Sequence, residues 1–139
     1  MSYDLVFWQQ ESWMSEEPGR TYESLINGAH VPGLAPIPVE DMLADLLAAF
    51  PGAVREPNGL REWVIWISPN GRDMFEVEWS EYYMIVSCRH VHSDDKNRII
   101  ELGIAHGCPL FDPQTGERFR FDRTDTHTEE NHSRTLKCM

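Results

Sequence analysis

The chain is 139 residues long, with 41% hydrophobic and 25% charged residues, an ordinary globular mix that excludes a disordered or fibrous polymer. That length is one domain's worth and is enough to bury a single core without staples. The chain has 23 acidic against 12 basic side chains, and the resulting net charge of −11 argues against a nucleic-acid partner and against adhesion to anionic membranes.

Taken in chain order, Tyr3 to Trp8 is a short apolar, aromatic run that reads as a strand. Gln9 to Gly19 reads as a polar, acidic loop carrying one Trp, Trp13. Arg20 to Asn27 reads as a short helix, with Tyr22, Leu25 and Ile26 at helical spacing and Asn27-Gly28 as its stop. The strongest helix signal is Pro38 to Phe50. There Val39, Met42, Leu43, Leu46, Leu47 and Phe50 form one stripe of period 3.6, and Glu40 and Asp41 favour the positive end of the dipole. Pro51-Gly52 ends it.

Three strands follow. Glu62 to Ser68 is apolar on both faces, with Trp63, Ile65 and Ile67 on one and Val64 and Trp66 on the other, which predicts a central strand covered on both sides. After the Pro69-Asn70-Gly71-Arg72 turn, Asp73 to Ser80 alternates, with Phe75, Val77 and Trp79 inward and Glu76 and Glu78 outward. Tyr82 to His90 completes an antiparallel meander. Ser93 is placed to cap a second clear helix, Asp94 to His106, with Asp94 and Asp95 in its first turn. Cys108 to Phe111 and Glu117 to Asp122 read as two last strands joined by a turn. The predicted order is β-α-α-β-β-β-α-β-β. This is an α+β fold, with an antiparallel or mixed sheet of about six strands packed against two or three helices.

The organisation expected is one domain over residues 1–122 and a flexible polar tail over residues 123–139, where only Leu136 between Arg123 and Lys137 is apolar. The charge is uneven. Residues 117–139 hold five basic and five acidic side chains, so the whole −11 falls on residues 1–116. Cys88, Cys108 and Cys138 are an odd, widely spaced set without a CxxC pair, which fits a reducing cytoplasm. MSYDLVFWQQ has no basic n-region and no long apolar core, so no signal peptide is expected. No apolar run approaches the roughly 20 residues of a membrane helix.

Catalytic and ligand-binding signals are sparse. No phosphate-cradling glycine motif and no GxSxG elbow occurs, and no cofactor is expected. Cys88, His90 and His92 have strand spacing and would leave one face together. They lack a further ligand from a second element, so no metal is expected, but the same face is the seat of an alternative reading as a small hydrolase. Glu76 and Glu78 are a second candidate for that chemistry. Two residues along a strand separate their α-carbons by roughly 6–7 Å, which overlaps the spacing of paired glycosidase carboxylates. Alternation alone also explains them as a solvated sheet face. Cys108 follows a helix C-terminus, the wrong end for a thiolate. Trp13, in the acidic stretch with Glu16 and Glu17, is placed to anchor a protein partner or to fold back as a lid.

The opening MSYDLVFW and the segment Gly107 to Gly116, GCPLFDPQTG, resemble small bacterial proteins of the MSYDLxFW kind, associated with the immunity proteins of polymorphic-toxin and contact-dependent inhibition systems. Both segments are structural, an edge strand and a turn, and so transfer no site residues. The resemblance implies a small cytoplasmic protein, without cofactor or catalysis, that binds a cognate toxin and neutralises it by occlusion. An acidic body suits a basic toxin domain. The expected contact residues are Trp13, Glu16, Glu17, Glu76, Glu78, Asp94 and Asp95.

Overall fold

A computed structural model describes residues 2–11, 13 and 16–118. The predicted tail at 123–139, with His127, His132 and Cys138, lies outside the described residues, as does the end of the predicted last strand. The elements are β1 (Ser2–Phe7), β2 (Gln9–Gln10), α1 (Pro18–Ile26), β3 (Leu34–Ala35), α2 (Val39–Ala49), β4 (Val54–Asn58), β5 (Arg61–Ile67), β6 (Met74–Trp79), β7 (Met84–Arg89), α3 (Ser93–Ala105), β8 (Leu110–Asp112) and β9 (Glu117–Arg118). The fold is α+β. Its main sheet has seven strands in the order β4-β5-β6-β7-β1-β8-β9, and β2 and β3 pair as a separate ribbon. Every neighbouring pair is antiparallel.

One face of the sheet carries the main core. Side chains alternate along each strand, so Leu5 and Phe7, Val64 and Trp66, Phe75 and Val77, and Met84, Val86 and Cys88 all point to this inner side. The stripe on α2 meets them with Met42, Leu43, Leu46 and Phe50 buried, and α3 does so with Ile99 and Ile100. Phe50 closes the far end, edge-on to Trp66 at 5.3 Å and to Phe75 at 5.0 Å. Arg98 of α3 donates to the Ala49 carbonyl, satisfying an orphan acceptor at the end of α2, and its guanidinium lies 4.6 Å from the Phe50 ring centre. At Gly103, α3 lies close against the sheet. A β-carbon there would stand 2.6 Å from Cε1 of Phe7 and 3.0 Å from the Cys108 carbonyl oxygen.

The outer face is covered over only part of its width. A second cluster, Val6, Trp8, Ile85 and Phe111, lies under Leu25 of α1 and under Val31 and Leu34 around β3. The Trp8 and Tyr22 rings tilt against Phe111 at 5.2 and 5.4 Å. Thus α1 and the small ribbon roof β7, β1 and β8. Among the described residues, no such cluster stands over β4, β5 and β6.

Several expectations are corrected. β1 is not an edge strand, because it sits between β7 and β8 and its register runs from Ser2 opposite Arg89 to Phe7 opposite Met84. The true edge beside the meander is β4, whose five residues are all exposed; Pro57 and the charges of Arg55 and Glu56 suit a strand that must not recruit another. β4 and β5 are joined by Gly59-Leu60. Gly59 has φ +65 and Leu60 does not share that region, the pattern of a II′ hairpin. The predicted loop at 9–19 contains β2 and the start of α1. β5 is covered on one side only: Val64 and Trp66 are buried, Trp63 and Ile65 half-buried, and Ile67 exposed. Trp63 therefore does not fill the core as Trp66 does, whereas Trp79 of β6 points inward as expected and packs, half-buried, against the main core. The cap of α3 is His92 and not Ser93, with the imidazole Nδ1 accepting from the Asp94 amide at 3.1 Å.

Candidate functional site

The site is assembled from two sequence patterns on neighbouring strands. β6 alternates, so its outer side chains are Met74, Glu76 and Glu78. β5 does not, so its outer row is Trp63, Ile65 and Ile67. Register sets them side by side: Ile65 is level with Glu76 and Ile67 with Met74, and the same register continues to put Trp63 level with Glu78. On the other flank, Val54 of β4 pairs with Ile65 and Glu56 with Trp63. The Trp63 indole N–H donates to Glu56 at 3.2 Å, holding that carboxylate beside the ring. The result is an apolar ridge along β5 with carboxylates on both sides.

Two of the exposed large apolar side chains, Val54 and Ile67, belong to this ridge face. Five are exposed among the described residues: Trp13, Ile26, Val54, Leu60 and Ile67. Three of the five belong to the β4–β5 hairpin and Ile26 to α1, one turn beyond Tyr22. Scattered exposed apolar residues are ordinary, whereas clustering beside a half-open sheet marks a contact surface. Tyr22 forms the boundary between roofed and open sheet. Burial raises its pKa first, and the carboxylates of Asp4 and Glu78 add to the rise.

A cleft of about 660 Å³ lies at the end of the sheet where β5 begins and β6 ends. Leu25, Val31, Arg61, Trp79, Tyr82 and Tyr83 are among its walls. His30 stands edge-on to Tyr82 at 6.0 Å. The cleft mixes apolar, aromatic and charged walls and opens beside the start of β5 at Arg61 and Glu62, so it can receive a side chain from a molecule resting on the ridge.

The expected contact residues divide between the two sides of the sheet. Glu76 and Glu78 lie on the open outer face. Trp13 is exposed in the turn ahead of α1, and residues 12, 14 and 15 around it lie outside the described residues. Glu16 and Glu17 are exposed, and the Glu17 carbonyl accepts the first amides of α1 from Arg20 and Thr21. Asp94 and Asp95 do not join them. They start α3, which packs on the inner face, and Asp95 pairs with Arg98 at 3.4 Å on its own helix.

The Cys88, His90 and His92 trio does not assemble either. Cys88 points into the core, where burial pushes its thiol pKa up to about 12. His90 has φ +58, which ends the strand and breaks the alternation that would have aligned it with Cys88. His92 is committed to capping α3. Cys108 is also buried, which raises its thiol to about 11. Among the described residues, no three His, Cys, Asp or Glu side chains converge where they could hold a metal. Glu76 and Glu78 are not among the residues of the cleft.

Sequence reasoning missed Trp63 and Ile65 as surface groups and missed Val54 and Glu56 altogether. The missed signal was the Asn58-Gly59 pair, which announces a hairpin and hence a strand before it. No protein-family model matches the chain, and no curated protein matches it. Among the described residues, no helix is long and apolar enough to cross a membrane.

Proposed function

We propose that the chain is an immunity-type inhibitor, a cytoplasmic protein that binds a basic toxin domain and blocks it by occlusion. The observation that carries this reading is the open half of the outer sheet face. There Trp63, Ile65, Ile67 and Val54 stand partly or largely exposed between Glu56, Glu76 and Glu78. Apolar groups give such a surface its binding energy, and flanking carboxylates select a basic partner and speed encounter. The body charge of −11 on residues 1–116 acts in the same sense. Occlusion needs no catalytic constellation. The resemblance of MSYDLVFW and GCPLFDPQTG to immunity proteins agrees with this reading.

The test is co-expression with the protein encoded beside this chain, scored by cell survival and by a one-to-one complex on purification. Reversing Glu76 and Glu78 to Lys takes the net charge from −11 to −7, since each reversal adds two. It should slow association and flatten its salt dependence while the fold survives, because both side chains point away from the core. Trp13→Ala should act on dissociation instead. Failure of the wild-type chain to bind or protect against any neighbouring gene product would sink the inhibitor reading.

A further inference from the structure

The open half of the outer face has the dimensions and the pattern of a seat for one helix. We infer that it receives an amphipathic α-helix of the partner, one with an apolar stripe flanked on both sides by Lys or Arg. This deepens the inhibitor reading and rests on it.

Three features carry the inference. The first is width. Strands are about 4.8 Å apart, so a helix lying over β5 and β6 stands roughly 10–14 Å from one lying over β1. α1 roofs β1 and its two neighbours. A newcomer there fits beside α1, close to ordinary helix–helix spacing of about 8–10 Å, within reach of Tyr22, which already feels the Glu78 carboxylate. It would complete the layer that α1 begins.

The second feature is length. Trp63, Ile65 and Ile67 span four residue steps, about 13 Å along β5. A helix covers that distance in about nine residues, so side chains at i, i+3 or i+4, and i+7 meet the three ridge positions in turn.

The third feature is charge. Glu56 lies on one flank of the ridge, and Glu76 and Glu78 lie on the other. A helix with basic residues on both sides of its apolar stripe answers both flanks. This pattern argues against other occupants. A second copy of the chain would set these three carboxylates against their own copies. The segment 123–137 offers Leu136 as its one apolar side chain and cannot supply a stripe. An anionic membrane surface meets the same acidic flanks and is repelled.

The experiment uses the full 139-residue chain and three synthetic 14-residue peptides. One carries a leucine stripe at i, i+3, i+4, i+7 and i+11 with lysines on both flanks. The second has the same composition scrambled, and the third replaces every lysine by glutamate. Affinity is read by fluorescence anisotropy at two salt concentrations, and the contact surface by amide chemical shifts. The striped basic peptide is expected to bind at least tenfold more tightly than either control and to shift amides of residues 54–67 and 74–78. The variant combining Glu76→Lys and Glu78→Lys should lose at least tenfold for the basic peptide and gain for the acidic one. Ile65→Asp should abolish the shifts in a chain whose thermal unfolding is unchanged. If that variant does not fold, the charge swap decides alone. Equal binding of the scrambled peptide overturns the inference, since charge alone would then explain it. So do shifts confined to α2 and α3. Concentration-dependent shifts of the same amides without peptide also overturn it by identifying a second copy as the occupant. If a neighbouring gene product is bound and neutralised while the striped peptide fails, the helix inference falls and the inhibitor reading stands. If the peptide binds while no neighbouring product does, the inhibitor reading falls alone.

Discussion

Gly103→Ala tests the packing of α3 against the sheet with a single methyl group. In a solvent-facing helix the change would stabilise by about 1 kcal/mol, because alanine is the better helix former. Here the new methyl meets the Phe7 ring, with Cε1 at 2.6 Å, and the Cys108 carbonyl oxygen at 3.0 Å. Phe7 is 1% exposed and fully enclosed between α3 and the sheet, so its ring has no solvent to move into. The carbonyl belongs to the backbone and cannot turn aside. Overpacking of this kind costs about 1–3 kcal/mol, which outweighs the propensity gain at most values in that range. The expected net effect is a loss of up to about 2 kcal/mol, or up to roughly 7 °C in Tm for a chain of this size. Urea unfolding followed by far-ultraviolet circular dichroism should show a lower midpoint at unchanged m-value. Phe7→Leu should relieve the clash, so the two changes together should cost less than their sum by at least about 0.5 kcal/mol. A Gly103→Ala chain more stable than wild type, or strict additivity with Phe7→Leu, would refute the close approach.

Three further outcomes are expected. Leu46→Ala removes a side chain that is fully buried between α2 and the sheet and should cost about 2–5 kcal/mol; a loss below about 0.5 kcal/mol would mean that this stripe does not face the core. In a Cys138→Ser chain, Cys88 and Cys108 should not react with an aromatic disulfide reagent at pH 8 until urea is added. Burial holds their pKa values near 12 and 11, so rapid native-state labelling would show an accessible thiolate and revive cysteine chemistry. The Glu40 carboxylate accepts from Arg55 at 2.7 Å, which lowers its pKa, so the bridge favours the folded state above the ordinary carboxylate range and is lost as pH falls through the lowered value. Carboxyl-carbon NMR should find Glu40 titrating low in the wild type and returning toward its ordinary value in Arg55→Gln; an unchanged midpoint would break the assignment.

What was legible in the sequence follows from how much of each signal is local. The stripe of α2 repeats over three turns, so the helix and its buried face were both readable from residues 39–50. Glu76 and Glu78 were readable as outward because β6 alternates without exception between Phe75 and Trp79. β4 was not readable: VREPN has no alternation and contains a proline, and it is a strand only because β5 supplies a partner. The cap of α3 was misplaced by one residue, because His92 does a job that serine or aspartate usually does, and Ser93 stood next to it. The His90 reading failed for a backbone reason, since one residue at φ +58 undoes the period-2 rule on which a same-face trio depends. Which half of the outer face α1 covers is a tertiary fact with no local signature. The open site was therefore visible only as two carboxylates, and its apolar ridge was mistaken for core.

That mistake bears on function. A strand next to the sheet edge with solvent on one side ordinarily alternates, and this chain obeys the rule on β6, where Glu76 and Glu78 meet water on the very face in question. β5 lies in the same environment and breaks the rule with Trp63, Ile65 and Ile67. Solvent exposure cannot account for both rows at once. Stability does not require the exposed ridge either, because Val64 and Trp66 already bind β5 to the core from its other face. The edge beyond it is guarded: β4 carries Pro57, Arg55 and Glu56, which discourage another strand from adding on. The apolar row is thus screened from edge-on pairing while its face is left open. That combination suits an occupant that lies across the sheet, and the carboxylates on either side set the charge that occupant must carry.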